Sequence, residues 1–152
     1  MANAYVSAHT VSAYINRPAK ELFDFLTTAS NWTRWHPATV SVSGSAIDHP
    51  AVEGEIIVEK VKHGPLRDTF SWEVMECQAP QRWVIRAKSD RHGQKVKIVY
   101  MLTPEDGGTC WEREMRFYFP KWLAAVDRLF ISKVLRKNSE TAARQLKELL
   151  EY

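Results

Sequence analysis

The sequence predicts an α+β domain in which a curved antiparallel sheet packs against one long C-terminal helix, and three observations carry that expectation. Short segments rich in Val, Ile, Thr and aromatic residues fill the middle of the chain. His63-Gly64-Pro65, Ala79-Pro80, Arg91-His92-Gly93 and Pro104-Glu105-Asp106-Gly107-Gly108 separate them, and connections this short join antiparallel hairpins rather than parallel crossovers. Lys121 to Glu151 then runs without Pro or Gly, enough for one helix of about 45 Å.

From the amino terminus, Tyr5 to Ile15 lacks a helix-period stripe and reads as a first strand. Asn16-Arg17-Pro18 offers a helix start with Pro18 at the first helical position, followed by the apolar Leu22, Phe23, Phe25 and Leu26. Ser30 or Asn31 is placed to cap a short second helix that Pro37 must end. Val40 and Val42 alternate with serines. Strands are then expected near 54–62, 67–78, 81–90, 94–103 and 109–119, with Pro120 closing the last. On the final helix Leu123, Val126, Phe130, Val134, Asn138, Ala142, Leu146 and Leu149 recur at steps of three or four, an apolar stripe broken at Asn138. No repeat, low-complexity tract or linker divides the chain, so one domain is expected over residues 1–152.

A chain of 152 residues with 45% hydrophobic content can bury a core without disulfides or structural metal. The net charge of +3 is spread along the chain, which gives no footprint for nucleic acid. The amino terminus lacks the pattern of a signal peptide and no apolar run approaches a membrane span, so a cytoplasmic protein is expected. Cys77 and Cys110 have no partner at metal-ligand spacing, and no cofactor or metal motif is legible.

Alternation selects the side chains that face inward. Phe70, Trp72 and Val74 share one face of their strand, Trp83 and Ile85 a face of the next, then Ile98 and Tyr100, then Trp111, Arg113, Met115 and Phe117. Arg113 is the exception that carries information: a guanidinium on that register needs a carboxylate from a neighbouring strand or an anionic group on a ligand. Asn138 repeats the point on the helix with an amide that both donates and accepts.

Several segments together resemble the START-like (SRPBCC, helix-grip) superfamily, in its polyketide cyclase/dehydrase branch. They are Ile15-Asn16-Arg17-Pro18-Ala19 ahead of Leu22-Phe23-Asp24-Phe25-Leu26, Asn31-Trp32-Thr33-Arg34-Trp35-His36-Pro37, Ala79-Pro80-Gln81-Arg82-Trp83 and Pro104-Glu105-Asp106-Gly107-Gly108-Thr109. The resemblance implies a seven-stranded antiparallel sheet curling around the helix, with two short helices after the first strand. Between sheet and helix it implies a cavity that in various members holds lipids, polyketides, hormones or aromatic molecules. It also places Trp35 and His36 near one end of that cavity, where His36 becomes the first candidate for acid–base work.

The expected ligand-binding set is therefore Trp35, Phe70, Trp72, Trp83, Tyr100, Trp111, Arg113, Met115, Phe130, Val134 and Asn138. The partner is a small hydrophobic molecule, held for carriage or sensing by a monomer or homodimer. Two alternatives stand beside it. One is a cyclase or dehydratase acting on a ligand in the same cavity. The other is a membrane or protein adaptor, with transient membrane contact through the basic side of the C-terminal helix.

Overall fold

The computed structural model describes residues 4–89, 95–120, 130 and 132–151. Alternation and short turns resolve into strands β1 (Ala4–Ile15), β2 (Thr39–Ser43), β3 (Ile56–His63), β4 (Leu66–Gln78), β5 (Arg82–Ser89), β6 (Lys95–Glu105) and β7 (Gly108–Pro120). All pair antiparallel in one seven-stranded sheet of order β1-β7-β6-β5-β4-β3-β2. The hairpins are set by their turns: Gly64 takes φ 60° between β3 and β4, and Asp106 and Gly107 take φ 50° and 81° between β6 and β7. Positive φ at the first central residue of the β3–β4 turn, and at both central residues of the β6–β7 turn, matches the right-handed twist of the flanking strands. The Arg91-His92-Gly93 turn lies outside the described residues.

The strand order has a consequence for the site. β1 and β2 follow one another in sequence yet form opposite edges of the sheet, so the chain between them must cross from edge to edge. Helix α1 (Ala19–Thr27), a 3-10 turn (Ala29–Asn31) and helix α2 (Trp32–Trp35) make that crossing. Leu22, Phe23, Leu26, Trp32 and Trp35 bury one side of it against the core, and Trp32 fastens it by donating from Nε1 to the Leu26 carbonyl at 2.9 Å.

Helix α3 (Ser132–Glu151) packs along β1 and reaches α2. Its end is tied back to the start of the crossing. Arg17 Nε donates to the Leu150 carbonyl at 2.6 Å and Asn16 N donates to Glu151 Oε1 at 2.8 Å, which satisfies a terminal carbonyl and sets a cation at the negative helix end.

Three expectations shift in detail. Pro18 is the residue before α1 rather than its first residue; with φ −58° and ψ 146° it turns the chain in, and its carbonyl accepts the bond from Leu22 N. Neither Ser30 nor Asn31 caps α2 through its side chain, because the 3-10 turn already delivers Asn31 in helical geometry. The buried stripe of α3 is Leu135, Ser139, Ala142, Ala143 and Leu146, not the line through Val134 and Asn138. Successive steps of four each advance about 40° beyond a full turn, so the sequence 130, 134, 138, 142 drifts around the helix, whereas alternating fours and threes hold one side. The part of the expected helix over 121–129 and 131 lies outside the described residues.

Leu146 is fully buried between α3 and the sheet. Leu146→Ala is expected to lower the unfolding free energy by about 2–5 kcal/mol in urea titration, while Arg144→Ala on the exposed side changes it by no more than about 0.5 kcal/mol. Equal losses at the two positions would contradict this packing.

Candidate functional site

Parity on β7 sends Trp111, Arg113, Met115 and Phe117 to the concave side, and all four are buried. Arg113 stands opposite Val11 of β1 and Tyr100 of β6, and is only 4% exposed. Its guanidinium is held on three sides. Nη1 donates to Ser139 Oγ of α3 at 3.0 Å and to Met115 Sδ at 2.8 Å, and Nη2 meets His36 Nε2 at 3.3 Å. Nε is buried with no hydrogen-bond partner among the described residues.

No carboxylate lies within ion-pair distance of Arg113 among the described residues. The balancing acid is reached through a relay instead. His36 Nδ1 lies 3.2 Å from Thr39 Oγ1, Thr39 Oγ1 donates to Glu59 Oε2 at 2.6 Å, and Trp72 Nε1 donates to Glu59 Oε1 at 2.9 Å. Both ends of this chain are groups that can only donate, a guanidinium and an indole. The direction of the bonds at His36 follows, and the Thr39 bond to Glu59 runs the same way. His36 accepts at Nε2 from Arg113, so its one proton sits on Nδ1 and is given to Thr39. Thr39 spends its proton on Glu59, whose two oxygens both accept, as a carboxylate does.

Two further polar pairs flank the relay. Asn138 Nδ2 lies 2.9 Å from His63 Nδ1 across the gap between α3 and β3, and His9 Nε2 lies 3.0 Å from Ser139 Oγ. An amide nitrogen only donates, so His63 Nδ1 accepts and its proton is on Nε2.

The electrostatics agree with this order. Burial first, then the charge of Arg113 and the neighbouring His63, hold His36 well below the ordinary histidine range. Burial and Arg113 lower His63 to about 4, with Asp68 pulling the other way. Burial pushes the Glu59 carboxyl up, while the bonds from Thr39 and Trp72 and the charge of Arg113 draw it back.

Arg113 borders two small cavities. One, of about 30 Å³, is lined on its polar side by His36, Glu59, His63, Asn138 and Ser139 and on its apolar side by Phe70, Trp72, Ile98 and Met115. The other, of about 20 Å³, adds Trp35, Thr39, Ile85 and Tyr100. Each has room for a water molecule or so. Trp35 Nε1, like Arg113 Nε, is buried without a protein acceptor, so the smaller cavity is bordered by two residues that each carry an unanswered N–H.

Of the residues expected from sequence, the structure brings Trp35, Phe70, Trp72, Tyr100, Arg113, Met115, Asn138 and the acid–base candidate His36 to these cavities. Trp83 and Trp111 lie one layer deeper. Trp83 stacks on Tyr100 at 5.5 Å, and Trp111 meets Trp35 and Tyr100 edge to face. Val134 is half-buried and Phe130 is 43% exposed, and neither borders the cavities. Glu59, His63, Thr39, Ser139 and His9 were not anticipated. Parity would have found two of them, since Ile57, Glu59, Val61 and His63 share one register of β3. His9 was readable too, on the register of Val11, Ala13 and Ile15 in β1, whereas Ser139 and Thr39 have no such signal, because a small polar residue reads equally well on either face.

A curved antiparallel sheet closed by a C-terminal helix, with a polar cluster buried between them, defines the helix-grip class of ligand-binding folds. The chain belongs to the family described as polyketide cyclase / dehydrase and lipid transport, whose model matches residues 8–151. Members of this family bind small hydrophobic ligands. No curated protein matches the chain. Among solved structures it is similar to the Zhui aromatase/cyclase from Streptomyces sp. R1128, with TM-score 0.75, 10% identity and coverage of 97% of this chain and 94% of that one. It is also similar to the di-domain aromatase/cyclase BexL of the BE-7585A biosynthetic pathway, with TM-score 0.73, 17% identity and coverage of 97% of this chain but 50% of BexL. A third similarity is to Ara h 8.0201, with TM-score 0.67, 12% identity and coverage of 96% and 98%. At these identities the structural likeness speaks to fold alone. No helix among the described residues is long and apolar enough to cross a membrane.

The lowered histidines make stability depend on pH with a definite sign. The unfolded chain protonates an imidazole near pH 6.5, whereas folded His63 stays neutral down to about 4. Its contribution is therefore complete above about pH 6.5 and is lost as pH falls toward 4. Glu59, raised rather than lowered, acts with the opposite sign. Unfolding in urea at pH 7 and pH 5 is expected to show the wild type losing about 2 kcal/mol more than His63→Gln. Equal losses would show that His63 is not held neutral by its surroundings.

Proposed function

We propose that the protein binds a small, largely apolar molecule between sheet and helix, for carriage or sensing, and that an oxygen acceptor on that molecule is received by Arg113. The observation that carries this reading is the Nε of a guanidinium buried among aromatic and aliphatic side chains, which meets no acceptor among the described residues. A buried donor left unmatched costs about 1–3 kcal/mol, and a ligand oxygen at Arg113 would recover it. The apolar walls supply the rest of the binding energy in proportion to the surface they cover.

A drug-sized ligand fills roughly 300 Å³ or more, far beyond cavities of about 30 and 20 Å³. Entry of such a molecule at these two cavities would displace side chains that border them, Phe70 and Trp72 among them. Because Trp35 and Trp72 border the cavities, indole fluorescence would report that movement.

A second reading, a cyclase or dehydratase, is favoured by one feature. A carboxylate, a hydroxyl and an imidazole stand in series behind Arg113, so a base and an electrostatic anchor occupy the same place. His36 Nε2 is at present the acceptor of an Arg113 bond and would have to leave it to take a proton from substrate. Carriage needs no such exchange, which is why it stands first.

The test is native mass spectrometry on protein purified from its own host, followed by denaturing extraction. A co-purified apolar molecule bearing a carbonyl, carboxyl or hydroxyl group is the expected result. Its absence, with no thermal shift across a panel of fatty acids, aromatic acids and ketones, would contradict binding. Arg113→Met alone strands the Glu59 charge and is expected to destabilise the fold by about 3–5 kcal/mol. Arg113→Met combined with Glu59→Gln removes both charges, and is expected to restore much of that stability while weakening the ligand about tenfold or more.

A further inference from the structure

The reading above leaves open what kind of oxygen Arg113 receives, and the groups around it bear on that choice. From β7 comes the fixed positive charge of Arg113, and from β3 the acid Glu59, already saturated by Thr39 and Trp72. The residue that ends α2 contributes the His36 imidazole, β6 contributes the Tyr100 phenol, and α3 contributes Ser139 and Asn138. His63 joins from the end of β3, with Asp68 of β4 in its surroundings, and His9 of β1 stands behind Ser139. Among the described residues that line the chamber, both histidines are neutral and Arg113 and Glu59 cancel, so this lining carries no net charge, with Asp68 standing outside it. A ligand carboxylate would make it negative by one. A buried, uncompensated charge is strongly unfavourable, so the site must either reject the anion or gain a proton with it.

The two histidines differ in their ability to supply that proton acceptor. His36 cannot gain a proton in place, because its Nε2 faces a guanidinium that only donates and its Nδ1 already carries hydrogen. His63 can. Its bare Nδ1 faces the amide of Asn138, and an amide turned by half a rotation presents oxygen where it had presented nitrogen. Asn138 can thus donate to neutral His63 or accept from the imidazolium without moving the helix that carries it. A leucine or alanine at that point of α3 would offer neither state.

We propose that the chamber is built for a carboxylic acid with an apolar body, anchored at Arg113 Nε, and that binding draws one proton from solvent onto His63 Nδ1 while the Asn138 amide turns to accept from it. The inference rests on the ligand-binding reading and narrows it to a chemical class. The lowered affinity of His63 for protons follows from burial and the charge of Arg113, and a carboxylate nearby would favour the imidazolium against both. The bound state would then hold two positive and two negative charges and return to neutrality.

The experiment is calorimetric titration at about pH 6 in buffers of different ionisation enthalpy, using decanoate and decanol, and 2-naphthoate and 2-naphthylmethanol. The expected result is that the acid of at least one pair binds about tenfold or more tightly than its alcohol, with uptake of between a half and one proton for the acid and none for the alcohol. His63→Gln is expected to abolish the uptake. Acid and alcohol binding alike, without uptake, would overturn the inference and leave the broader ligand-binding reading standing. Uptake that persists in His63→Gln would place the proton on the ligand or on His36 and overturn the role of His63. Binding by neither member of either pair would overturn the carboxylate inference; the broader reading would fall only if the co-purification experiment also came back empty.

Discussion

A guanidinium keeps its proton at any working pH, and Arg113 holds one inside the interface between sheet and helix. Most of the polar architecture is a response to that charge. Each polar group that meets it must accept, which forces His36 into the Nδ1–H form and, through Thr39, assigns Glu59 as the acid that balances it. A direct ion pair would have satisfied both charges and closed the site. Spacing them by an imidazole and a hydroxyl keeps the charges balanced while leaving Arg113 Nε without an acceptor among the described residues. Breaking either end of such an arrangement strands a charge in a poorly solvating interior, so the relay is expected to stand or fall as a unit.

The strand order places the members of that unit. Because β1 and β2 are opposite edges, the α1–α2 crossing is obligatory, and His36 sits where the crossing hands over to β2. Thr39 opens β2, Glu59 and His63 come from β3, Arg113 from β7 and Ser139 from α3. Four stretches distant in sequence, around residues 36–39, 59–63, 113 and 139, thus meet only once the sheet has curled and the helix has docked. The contacts of Arg17 and Asn16 with the last turn of α3 hold the docked helix to the start of the crossing, so the two elements that cover the cavity are fastened to each other as well as to the sheet.

Much of this was legible in the sequence, for physical reasons that can be named. Period-two alternation located the strands to within a few residues and put Arg113 on the inner face, because a one-residue slip would have turned Trp111, Met115 and Phe117 outward. Asn138 stood out as an amide in an apolar stripe. The stripe held at Ala142 and Leu146 but drifted through Val134 and Asn138, since counting threes and fours tolerates a drift that packing does not, and this hid Leu135 and Ser139. Glu59 and His63 were readable by the same parity that found Arg113 but sit in a strand dense with Lys and Glu, where a charge draws no notice. That Arg113 would find its acid through a relay rather than by contact depends on three side chains from three elements, and no local pattern encodes it.

Carriage and catalysis ask different things of the same groups. A carrier needs the donor at Arg113 and the apolar walls, whereas an enzyme also needs His36 Nε2 to exchange the guanidinium for a substrate proton. Both depend on the direction in which the hydrogen bonds run from Arg113 to Glu59, and that direction is observable. A long-range proton–nitrogen correlation spectrum of the His36 ring at neutral pH reads it directly. The expected result is a neutral imidazole with Nδ1 protonated and Nε2 bare; an Nε2–H tautomer or an imidazolium would contradict the relay and the balance of charge built on it.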